Sequence, residues 1–492
     1  MKSKSVIVIG SGFGGISSAL RAKKLGFDVT LVERLDQLGG RAQTFKSKGF
    51  IFDAGPTVLT APFLFEEIFK LFNKNMSEYV TLMPVSPWYK FEFNDGTHLN
   101  YGDKLEKTIK EIYRLSPSDV EGYKKLLAAS EKIFDVGFSK LAHVPFSNFK
   151  FMLKQLPDLV RLGCYKTVWQ FTKKYLKDDR LRRAFSIQPL LVGGNPFNTT
   201  CIYSLIHFLE KKWGVHYPKG GTNALVEALG KLMIEENISI KYNQEVKEIS
   251  IEKNKVVGIN FKNGSFINAD IIISNVDPAY TYMNLINKKF RKKWTDEKIK
   301  KLKFSMGLYC IYFGTKKKYS NVEHHTIIFG KEYEKLLKKI FNNEKIDNDL
   351  SLYLHRPTAT DSNLAPPDKD AFYVLAPVPN LTKNNKIEKS ELREKVLNIL
   401  EDRILPNLRN NLDICFDFDP SDFQREYCSK WGAGFSIAPI FSQSAFFRFH
   451  NRSEDIKNLY FTGAGTHPGA GMPGVLSSAK VVENLLCEDH LN

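Results

Sequence analysis

Apolar and polar positions at the amino end of the chain follow two different periodicities in turn. Residues 5–9 form a short apolar run rich in β-branched residues, which predicts a strand buried on both faces. Apolar positions with helical spacing follow from Ile16 to Leu25, and Gly26 predicts the end of that helix. Residues 29–32 predict a second strand. The order strand, helix, strand predicts a parallel βαβ unit.

Sheet-forming patterns return in the middle of the chain. Residues 238–242, 246–252 and 255–261 alternate as strands, and Asn263-Gly264 is a hairpin signal. Residues 269–275 are more uniformly apolar and predict another buried strand. The middle of the chain therefore contributes strands of its own.

The carboxyl end again shows strand, turn and helix in that order. Residues 458–462 predict a strand, and the glycine-rich residues 463–471 predict a turn built mainly from backbone. Pro473 predicts the first residue of a helix that runs to Leu486, because the N–H that proline lacks would be unpaired there. The N-terminus of such a helix would stabilise negative charge on a bound group.

The turn between the first strand and the first helix contains Gly10, Gly12, Gly14 and Gly15. In a dinucleotide-binding turn, Gly10 permits the tight bend, Gly12 lets backbone approach a pyrophosphate, and Gly15 lets the helix pack closely on the sheet. Glu33 ends the second strand and would accept a hydrogen bond from a ribose 2′-hydroxyl. Because all these parts occur together, the segment predicts a site for FAD or NAD.

A second glycine turn follows Glu33. Leu38-Gly39-Gly40-Arg41 resembles the GG motif of the flavin-dependent amine oxidase superfamily, and residues 52–57 resemble its loop near the flavin ring. The resemblance implies FAD, a return of residues 269–275 to the nucleotide domain, and a place near the adenine for Val246, with plain core packing as the alternative for this valine. The candidate cofactor residues are Gly10, Gly12, Gly14, Gly15, Glu33, Arg34, Gly39, Gly40, Arg41, Gly55, Pro56, Thr57, Val246, Gly463, Gly465, Met472 and Pro473.

Longer motifs indicate a narrower family. Residues 191–197, 212–222 and 463–474 resemble bacterial-type phytoene desaturases, and the resemblance runs from about residue 4 to about residue 485. It implies FAD-dependent removal of hydrogen from the polyene phytoene in several steps towards lycopene, with a quinone or oxygen as the electron acceptor. The alternatives are another polyene, such as thirty-carbon dehydrosqualene or a hydroxylated or methoxylated carotene, and an amine or porphyrinogen oxidase on the same scaffold.

Few residues are candidates for acid–base catalysis. His467 lies in the flavin-side loop and could relay a proton, although a structural histidine bonded to backbone is the favoured alternative. Glu210 and His207 lie one helical turn apart beside a family motif, but such pairs are also common on solvated helix faces. No metal site is expected, because the six cysteines include no CxxC pair.

The patterns and the resemblance together predict an α/β plus α+β fold with three parts. The first is a Rossmann-like FAD-binding domain of discontinuous segments, residues 1–75, 220–290 and 430–492. The second is a substrate-binding domain, residues 76–100, 200–219 and 291–429. The third is a helical insertion that associates with a membrane, residues 101–199.

The net charge bears on the partner. The chain of 492 residues has 71 Lys and Arg against 54 Asp and Glu, a net charge of +17, and residues 150–183 and 288–303 each carry +7 of it. No helix-turn-helix, RNA-recognition or zinc pattern supports binding to nucleic acid. Residues 150–177 mix basic and apolar side chains in a manner typical of an interfacial helix pair, with a solvated face as the alternative. Residues 288–303 could equally be a solvated linker helix.

The expected location is the cytoplasm, with peripheral attachment to an anionic membrane surface. Scattered cysteines favour a reducing compartment, and the glycines from Gly10 to Gly15 interrupt the apolar core that a signal peptide needs. No apolar run reaches the length of about 18 residues that spans a bilayer. A hydrophobic polyene would enter from the membrane.

Overall fold

The structure is a computed structural model that describes residues 3–383 and 388–491. Its strands in chain order are β1 (Ser5–Ile9), β2 (Asp28–Val32), β3 (Thr44–Ser47), β4 (Phe50–Asp53), β5 (Leu82–Pro84), β6 (Tyr89–Glu92), β7 (His98–Tyr101), β8 (His216–Pro218), β9 (Ser239–Lys241), β10 (Val246–Glu252), β11 (Lys255–Phe261), β12 (Phe266–Asn268), β13 (Ile271–Ser274), β14 (Gly307–Thr315), β15 (His325–Ile328), β16 (Leu352–His355), β17 (Asp370–Val378), β18 (Leu412–Phe418) and β19 (Leu459–Phe461).

The α-helices of the same residues connect and cover these strands. They are α1 (Phe13–Lys24), α2 (Phe63–Lys70), α3 (Leu105–Leu115), α4 (Val120–Phe134), α5 (Phe149–Arg161), α6 (Val168–Tyr175), α7 (Asp179–Ala184), α8 (Leu205–Trp213), α9 (Thr222–Glu235), α10 (Pro278–Tyr280), α11 (Asp296–Lys300), α12 (Tyr333–Phe341), α13 (Lys389–Arg403), α14 (Leu408–Asn411), α15 (Pro420–Tyr427) and α16 (Met472–His490).

A five-stranded parallel sheet joins the two ends of the chain, in the order β19-β13-β1-β2-β9. Val8 in the central strand β1 lies opposite Ile273 on one side and Leu31 on the other. β13 pairs in turn with β19. The amino-terminal βαβ unit, a strand from the middle of the chain and the last strand therefore lie side by side.

The strand β1 is apolar along most of its length because both faces of this sheet are covered. Val6 and Val8 pack in one cluster with side chains of α1, α9 and α16. Ile7 and Ile9 pack in another cluster with the antiparallel sheet β10-β11-β12. Since side chains alternate along a strand, one apolar run contributes to two cores.

A second sheet has seven strands in the order β18-β14-β17-β16-β15-β6-β7. Neighbouring strands are antiparallel except β15 and β6, which are parallel. Its apolar side chains share a cluster with Ile112 of α3 and Leu126 of α4. The helices α3 to α8 follow β7 in sequence, and β8, which pairs with β5 in a separate two-stranded sheet, follows them.

The predicted strands and helices are confirmed apart from their end residues. Residues 246–252 and 255–261 are strands over the predicted lengths, and the Asn263-Gly264 turn joins β11 to β12. One prediction at the carboxyl end is wrong in detail. α16 begins at Met472, so Pro473 is its second residue, and it continues past Leu486 to His490.

Residues 288–303 do not form one continuous linker helix. Only Asp296–Lys300 is α-helical, and Lys288–Phe290 is a single 3-10 turn. Trp294 and Ile299 are buried in the cluster that contains Ile7 of β1. This segment is therefore packed against the parallel sheet, and the domain boundary at residue 290 stays a prediction.

Two helices, α5 and α6, occupy the segment for which an interfacial helix pair is predicted, and they differ in burial. α5 has no buried residue, whereas Val168, Phe171 and Thr172 of α6 are buried. The apolar side of α6 therefore packs inside the protein, while that of α5 reaches the surface. Within the described parts of the chain, no helix combines the length and the apolar character that crossing a membrane requires.

Candidate active site

The glycine-rich turn between β1 and α1 has almost no room for side chains. Gly10 has a φ of +90°, and a Cβ on Gly15 would lie 2.0 Å from the carbonyl oxygen of Gly10. Cβ atoms on Gly12 and Gly14 would lie 2.8 and 2.5 Å from the side-chain amide of Asn275, which follows β13. The turn therefore brings backbone, rather than side chains, to the start of α1, where N–H groups bind anions.

The carboxylate of Glu33 lies beside this turn, directly after β2. It is buried and accepts hydrogen bonds from the backbone N–H and the hydroxyl of Ser11, at 2.9 and 2.6 Å. The backbone N–H of Leu35 donates a further bond of 2.9 Å. These three donors fix the carboxylate at the cavity wall, where it can also accept from a ligand hydroxyl.

The second glycine turn places Arg41 next to the first turn. Gly39 has a φ of +112°, and its N–H donates to the carbonyl oxygen of Ser11 at 3.0 Å. The Arg41 guanidinium donates to the hydroxyl of Ser429 at 2.8 Å, and its Nε is buried without a hydrogen-bond partner among the described residues. Burial lowers the pKa of Arg41. An unsatisfied cationic donor at this place fits an anionic ligand such as a pyrophosphate.

The loop before α16 is held from behind by Arg448, which sequence reasoning missed. Its buried guanidinium donates to the carbonyl oxygens of Thr466 and Ala464, at 2.9 and 2.6 Å. Gly463 opens the loop with a φ of +105°. The loop and Met472 at the start of α16 line the cavity, so a ligand bound there would face backbone and a helix N-terminus.

These turns surround one cavity of about 810 Å³. Its walls are mainly apolar, and its volume is within the range of ligand sites in proteins. The predicted cofactor residues that line it are Gly10, Gly12, Gly14, Glu33, Arg34, Gly39, Gly40, Arg41, Gly55, Pro56, Thr57, Gly463, Gly465, Met472 and Pro473. Ile327, Leu352 and Leu375 of the seven-stranded sheet form a further wall.

Three predicted site residues are not part of the cavity lining. Gly15 packs against Gly10, as expected for a glycine that brings helix and strand together. Val246 is buried in the cluster behind the parallel sheet, which favours the core-packing alternative. His207 is likewise buried outside the cavity lining.

The cavity reaches the protein surface at α5. Phe149 and Leu153 of α5, together with Phe441 and Phe447, line the cavity although they are 46%, 44%, 59% and 41% exposed. The ring centroid of Phe149 lies 5.3 Å from that of Phe446, which joins the two segments. We call Phe149, Leu153, Phe441 and Phe447 the apolar rim. Because these exposed side chains are apolar, the opening of the cavity is lined by apolar groups.

Glu210 is an ionisable group in the apolar cavity wall. It belongs to α8, and its Oε1 accepts a hydrogen bond of 2.8 Å from the hydroxyl of Tyr89. Its Oε2 is buried and has no hydrogen-bond partner in the described part of the chain. Burial raises the pKa of Glu210 to about 8, and the hydroxyls of Tyr89 and Tyr101 oppose that rise. A carboxyl group that titrates near neutral pH can take up or release a proton at this wall.

The two histidine candidates are held by structural contacts. Nε2 of His467 lies 3.0 Å from the carbonyl oxygen of Leu141. The ring nitrogens of His207 lie 3.1 Å from the Gln188 amide and 2.9 Å from the carbonyl oxygen of Phe185. Burial lowers the pKa of each histidine to about 4. These contacts favour the structural alternative for both residues, and their catalytic roles stay predictions.

Asn275 lines the cavity, and Asp53 directly precedes the lining residues Ala54 and Gly55, although neither is among the predicted site residues. Asn275 follows β13 at the edge where parallel strands end, and this position is a signal that could have found it. Asp53 is buried and accepts hydrogen bonds from the Thr222 N–H at 2.8 Å and the Tyr217 hydroxyl at 2.5 Å. Burial raises the pKa of Asp53 to about 6. The residues that donate hydrogen bonds to Asp53 are distant from it in sequence, so no local sequence pattern indicates them.

The residues present fit a dinucleotide of the FAD type. Two glycine turns let backbone approach closely, Glu33 offers an acceptor, and Arg41 offers an unpaired donor. The apolar cavity continues from these turns to the loop before α16. Polar groups for the phosphates and an apolar space for a ring system therefore lie in one continuous site.

Known proteins are similar to this chain in sequence and in fold. A family model described as flavin containing amine oxidoreductase matches residues 13–482. A phytoene desaturase (lycopene-forming) from Pseudescherichia vulneris is 42% identical over 490 residues, covering 99% of each chain. A phytoene desaturase (neurosporene-forming) from Rhodobacter capsulatus is 40% identical and covers 98% of this chain and 93% of the relative. The crystal structure of an oxidoreductase from Methanosarcina mazei has a TM-score of 0.67 at 18% identity, covering 98% of this chain and 100% of that chain.

Proposed function

The chain belongs to the flavin containing amine oxidoreductase family, and from this premise we propose that it is an FAD-dependent phytoene desaturase. The observation that carries the proposal is the single cavity that joins two dinucleotide-binding turns to an apolar rim. A polar substrate would not require an apolar path to the surface. A long hydrocarbon would.

The reaction that we propose removes two hydrogens from neighbouring carbons of the polyene. One leaves as a hydride and the other as a proton, and a C=C bond forms between the two carbons. When bound, FAD supplies the hydride acceptor. The apolar walls align the polyene and exclude water, so positioning and electrostatics provide most of the catalysis. The proposed steps lead towards lycopene or a related conjugated carotene, and the proposed final electron acceptor is a quinone or oxygen.

Glu210 is the proton acceptor that we favour. It lines the cavity, its Oε2 has no partner among the described residues, and no cation forms an ion pair with it there. With a pKa of about 8, the carboxyl group is ionised in a useful fraction of molecules and still basic enough to take a proton. His467 is a weaker candidate because a backbone carbonyl already occupies its Nε2.

Docking to a membrane through α5 would give the substrate a dry entry path. The apolar rim is exposed, and Lys150, Lys154 and Arg161 on the same helix are exposed as well. Apolar side chains that enter the interface, surrounded by cations that meet anionic headgroups, are typical of interfacial helices. The rim would then open the cavity to the bilayer rather than to water.

The second basic segment borders the same rim. The Lys293 ammonium lies 5.7 Å from the ring centroid of Phe446. The backbone N–H of Lys303 donates to the side chain of Gln443 at 2.8 Å, beside Phe441. Both charge-rich segments thus meet around one opening although they are far apart in sequence. This convergence supports one membrane-facing side, formed in part by the proposed insertion of residues 101–199.

Reconstitution tests the proposed reaction. The purified protein loaded with FAD should convert phytoene in anionic liposomes into coloured polyenes, which absorbance detects and chromatography separates. A parallel reaction with thirty-carbon dehydrosqualene distinguishes substrate length. A protein that binds FAD but leaves phytoene unchanged while converting the thirty-carbon chain would contradict phytoene as the substrate. A protein that shows no flavin absorbance after incubation with FAD would contradict the cofactor site itself.

A further inference from the structure

Three histidines lie together behind the cavity wall, at the seven-stranded sheet. His325 of β15 and His355 of β16 are cross-strand partners, and His324 precedes His325. One ring nitrogen from each residue lies within 4.8 Å of the other two. All three side chains are buried. Strand pairing therefore brings the ring of His355 next to the rings of the adjacent residues His324 and His325.

Two ring nitrogens of this cluster lack a partner. His325 Nε2 and His355 Nδ1 are buried and have no hydrogen-bond partner among the described residues. A buried polar atom without a partner costs about 1–3 kcal/mol. A buried ring nitrogen that no protein group occupies is available to bind a metal ion.

Hydroxyl groups orient two of the rings from outside. His324 Nδ1 lies 2.6 Å from Thr360 Oγ1, and His325 Nδ1 lies 2.7 Å from Tyr353 Oη. Oxygen partners on the second ring nitrogen are typical of metal-bound histidines and fix the ring orientation. His324 Nε2 and His355 Nε2 lie 3.1 Å apart in a hydrogen bond, which an ion bound between the two rings would replace. Two nitrogen ligands of a tetrahedral zinc ion lie about 3.3 Å apart, given bonds of about 2.0 Å.

We propose that His324, His325 and His355 bind one divalent transition metal ion of the zinc class, with water as the fourth ligand. Three nitrogen ligands suit zinc and its neighbours, whereas Mg²⁺ and Ca²⁺ require oxygen ligands. The Tyr217 ring lies 4.6 Å from His324, and its hydroxyl binds the carboxylate of Asp53. That carboxylate places a counter-charge in the next layer. The nearby guanidinium of Arg356 is paired with Asp370 at 3.4 Å.

The ion would position a part of the cavity wall. Tyr353 Oη lies 2.8 Å from the hydroxyl of Thr57 as well as 2.7 Å from His325 Nδ1. Both Tyr353 and Thr57 line the cavity. Holding His325 in place would therefore hold this wall through Tyr353. The inference does not depend on the identity of the substrate.

Metal analysis of the full chain, purified without a histidine tag and with FAD bound, tests the site. After dialysis against Zn²⁺ and then metal-free buffer, we expect about one zinc per chain, and Co²⁺ substitution should give the visible bands of a four-coordinate ion. His325→Gln and His355→Gln should lose both signals. His207→Gln should keep them, because both ring nitrogens of this buried histidine are bonded elsewhere.

A milder variant covers the case in which the histidine variants fail to fold. Thr360→Val leaves all three imidazoles and removes one outer hydroxyl, and it should weaken Co²⁺ binding about 10–100-fold. Wild-type protein that retains no zinc and shows no Co²⁺ bands would overturn the proposal. An ordered water bridging the two unpaired nitrogens would then be the occupant. Equal zinc content in wild type and both histidine variants would overturn it too, because the ion would lie elsewhere.

Discussion

The glycine turn at residues 10–15 and the apolar rim belong to one cavity but are built in opposite ways. In the turn, a Cβ on Gly15 would lie 2.0 Å from the carbonyl oxygen of Gly10, so backbone atoms of the protein fill the space around this residue. In the rim, Phe149 is 46% exposed and Phe441 is 59% exposed, so these side chains have few contacts within the protein. The turn is complete as folded, whereas the rim would be covered by an external apolar phase only in the proposed docking to a membrane. Substitutions should therefore affect folding and cofactor at one place and membrane contact at the other.

The largest effect is expected at the turn. Gly15→Ala places a methyl group against a backbone oxygen that cannot move without separating α1 from β1. We expect the free energy of unfolding to fall by about 2–3 kcal/mol, with loss of bound FAD. Thermal unfolding and the flavin absorbance of the purified protein measure the two effects.

Gly102→Ala is the matched control for that change. A Cβ there would lie 3.5 Å from its nearest neighbour, Pro87, which is an ordinary contact. Stability and flavin content should both stay near those of the wild type. Equal behaviour of the two alanine variants would show that the turn is not as crowded as its geometry indicates.

The next effect is expected between the two regions, at Glu210. Glu210→Gln keeps the size of the side chain but removes the base, so the rate of desaturation should fall about 10²–10⁴-fold. Flavin content and liposome binding should not change, which separates the cavity from the turn and the rim. Single-turnover measurements of flavin bleaching under anaerobic conditions check the rate. An unchanged rate would exclude Glu210 as the proton acceptor.

The pH dependence sharpens the same assignment. Because the base must be ionised, activity of the wild type should rise with pH through about 8. Tyr89→Phe removes a hydrogen bond that lowers this pKa, so the activity profile should move to higher pH.

The free energy of unfolding should change with pH in the opposite sense to activity. The folded state keeps a proton on Glu210 that the unfolded state releases near pH 4.5, so stability falls as pH rises from there to about 8. Denaturant unfolding at several pH values should show that the free energy of unfolding falls less steeply with pH in Glu210→Gln than in the wild type.

At the rim, we expect a small effect on the protein itself and a clear effect on its binding to membranes. Replacing Phe149, Leu153 and Phe447 by Gln removes three exposed apolar side chains, each worth about 1–2 kcal/mol of transfer into an apolar phase. Liposome flotation should drop by a factor of about 10² or more, with flavin content and thermal stability unchanged. Ile234→Gln and Phe266→Gln are controls, since these side chains are also exposed but do not line the cavity. A loss of flotation in the controls equal to that in the rim variant would remove the distinction between the rim and the rest of the surface.

The sequence could predict the turn far better than the rim, for a physical reason. Gly10, Glu33 and the flanking strands interact over short stretches, so local periodicity and spacing carry the information. The rim instead depends on contacts between α5 and the loop at Phe446, which are almost 300 residues apart. The mixture of basic and apolar residues predicts two interfacial helices, but burial of Phe171 assigns the apolar side of α6 to the interior. Local sequence patterns do not predict cross-strand neighbours such as His325 and His355 either, because these residues come together only when the strands pair.

The smallest effect is expected from the charges around the rim, and it separates α5 from α6. Lys150, Lys154 and Arg161 lie on the helix whose apolar side chains are exposed, and each should contribute about 1 kcal/mol at an anionic surface. Lys173 and Lys174 are also exposed, but the apolar residues of their helix α6 are buried. This helix therefore presents less apolar surface to the headgroups. Replacing the α5 set by Gln should therefore weaken flotation with anionic liposomes more than replacing the α6 pair, and the difference should shrink as salt is added. A greater loss from the α6 pair would mean that the membrane lies against α6 and that the rim is not the entrance.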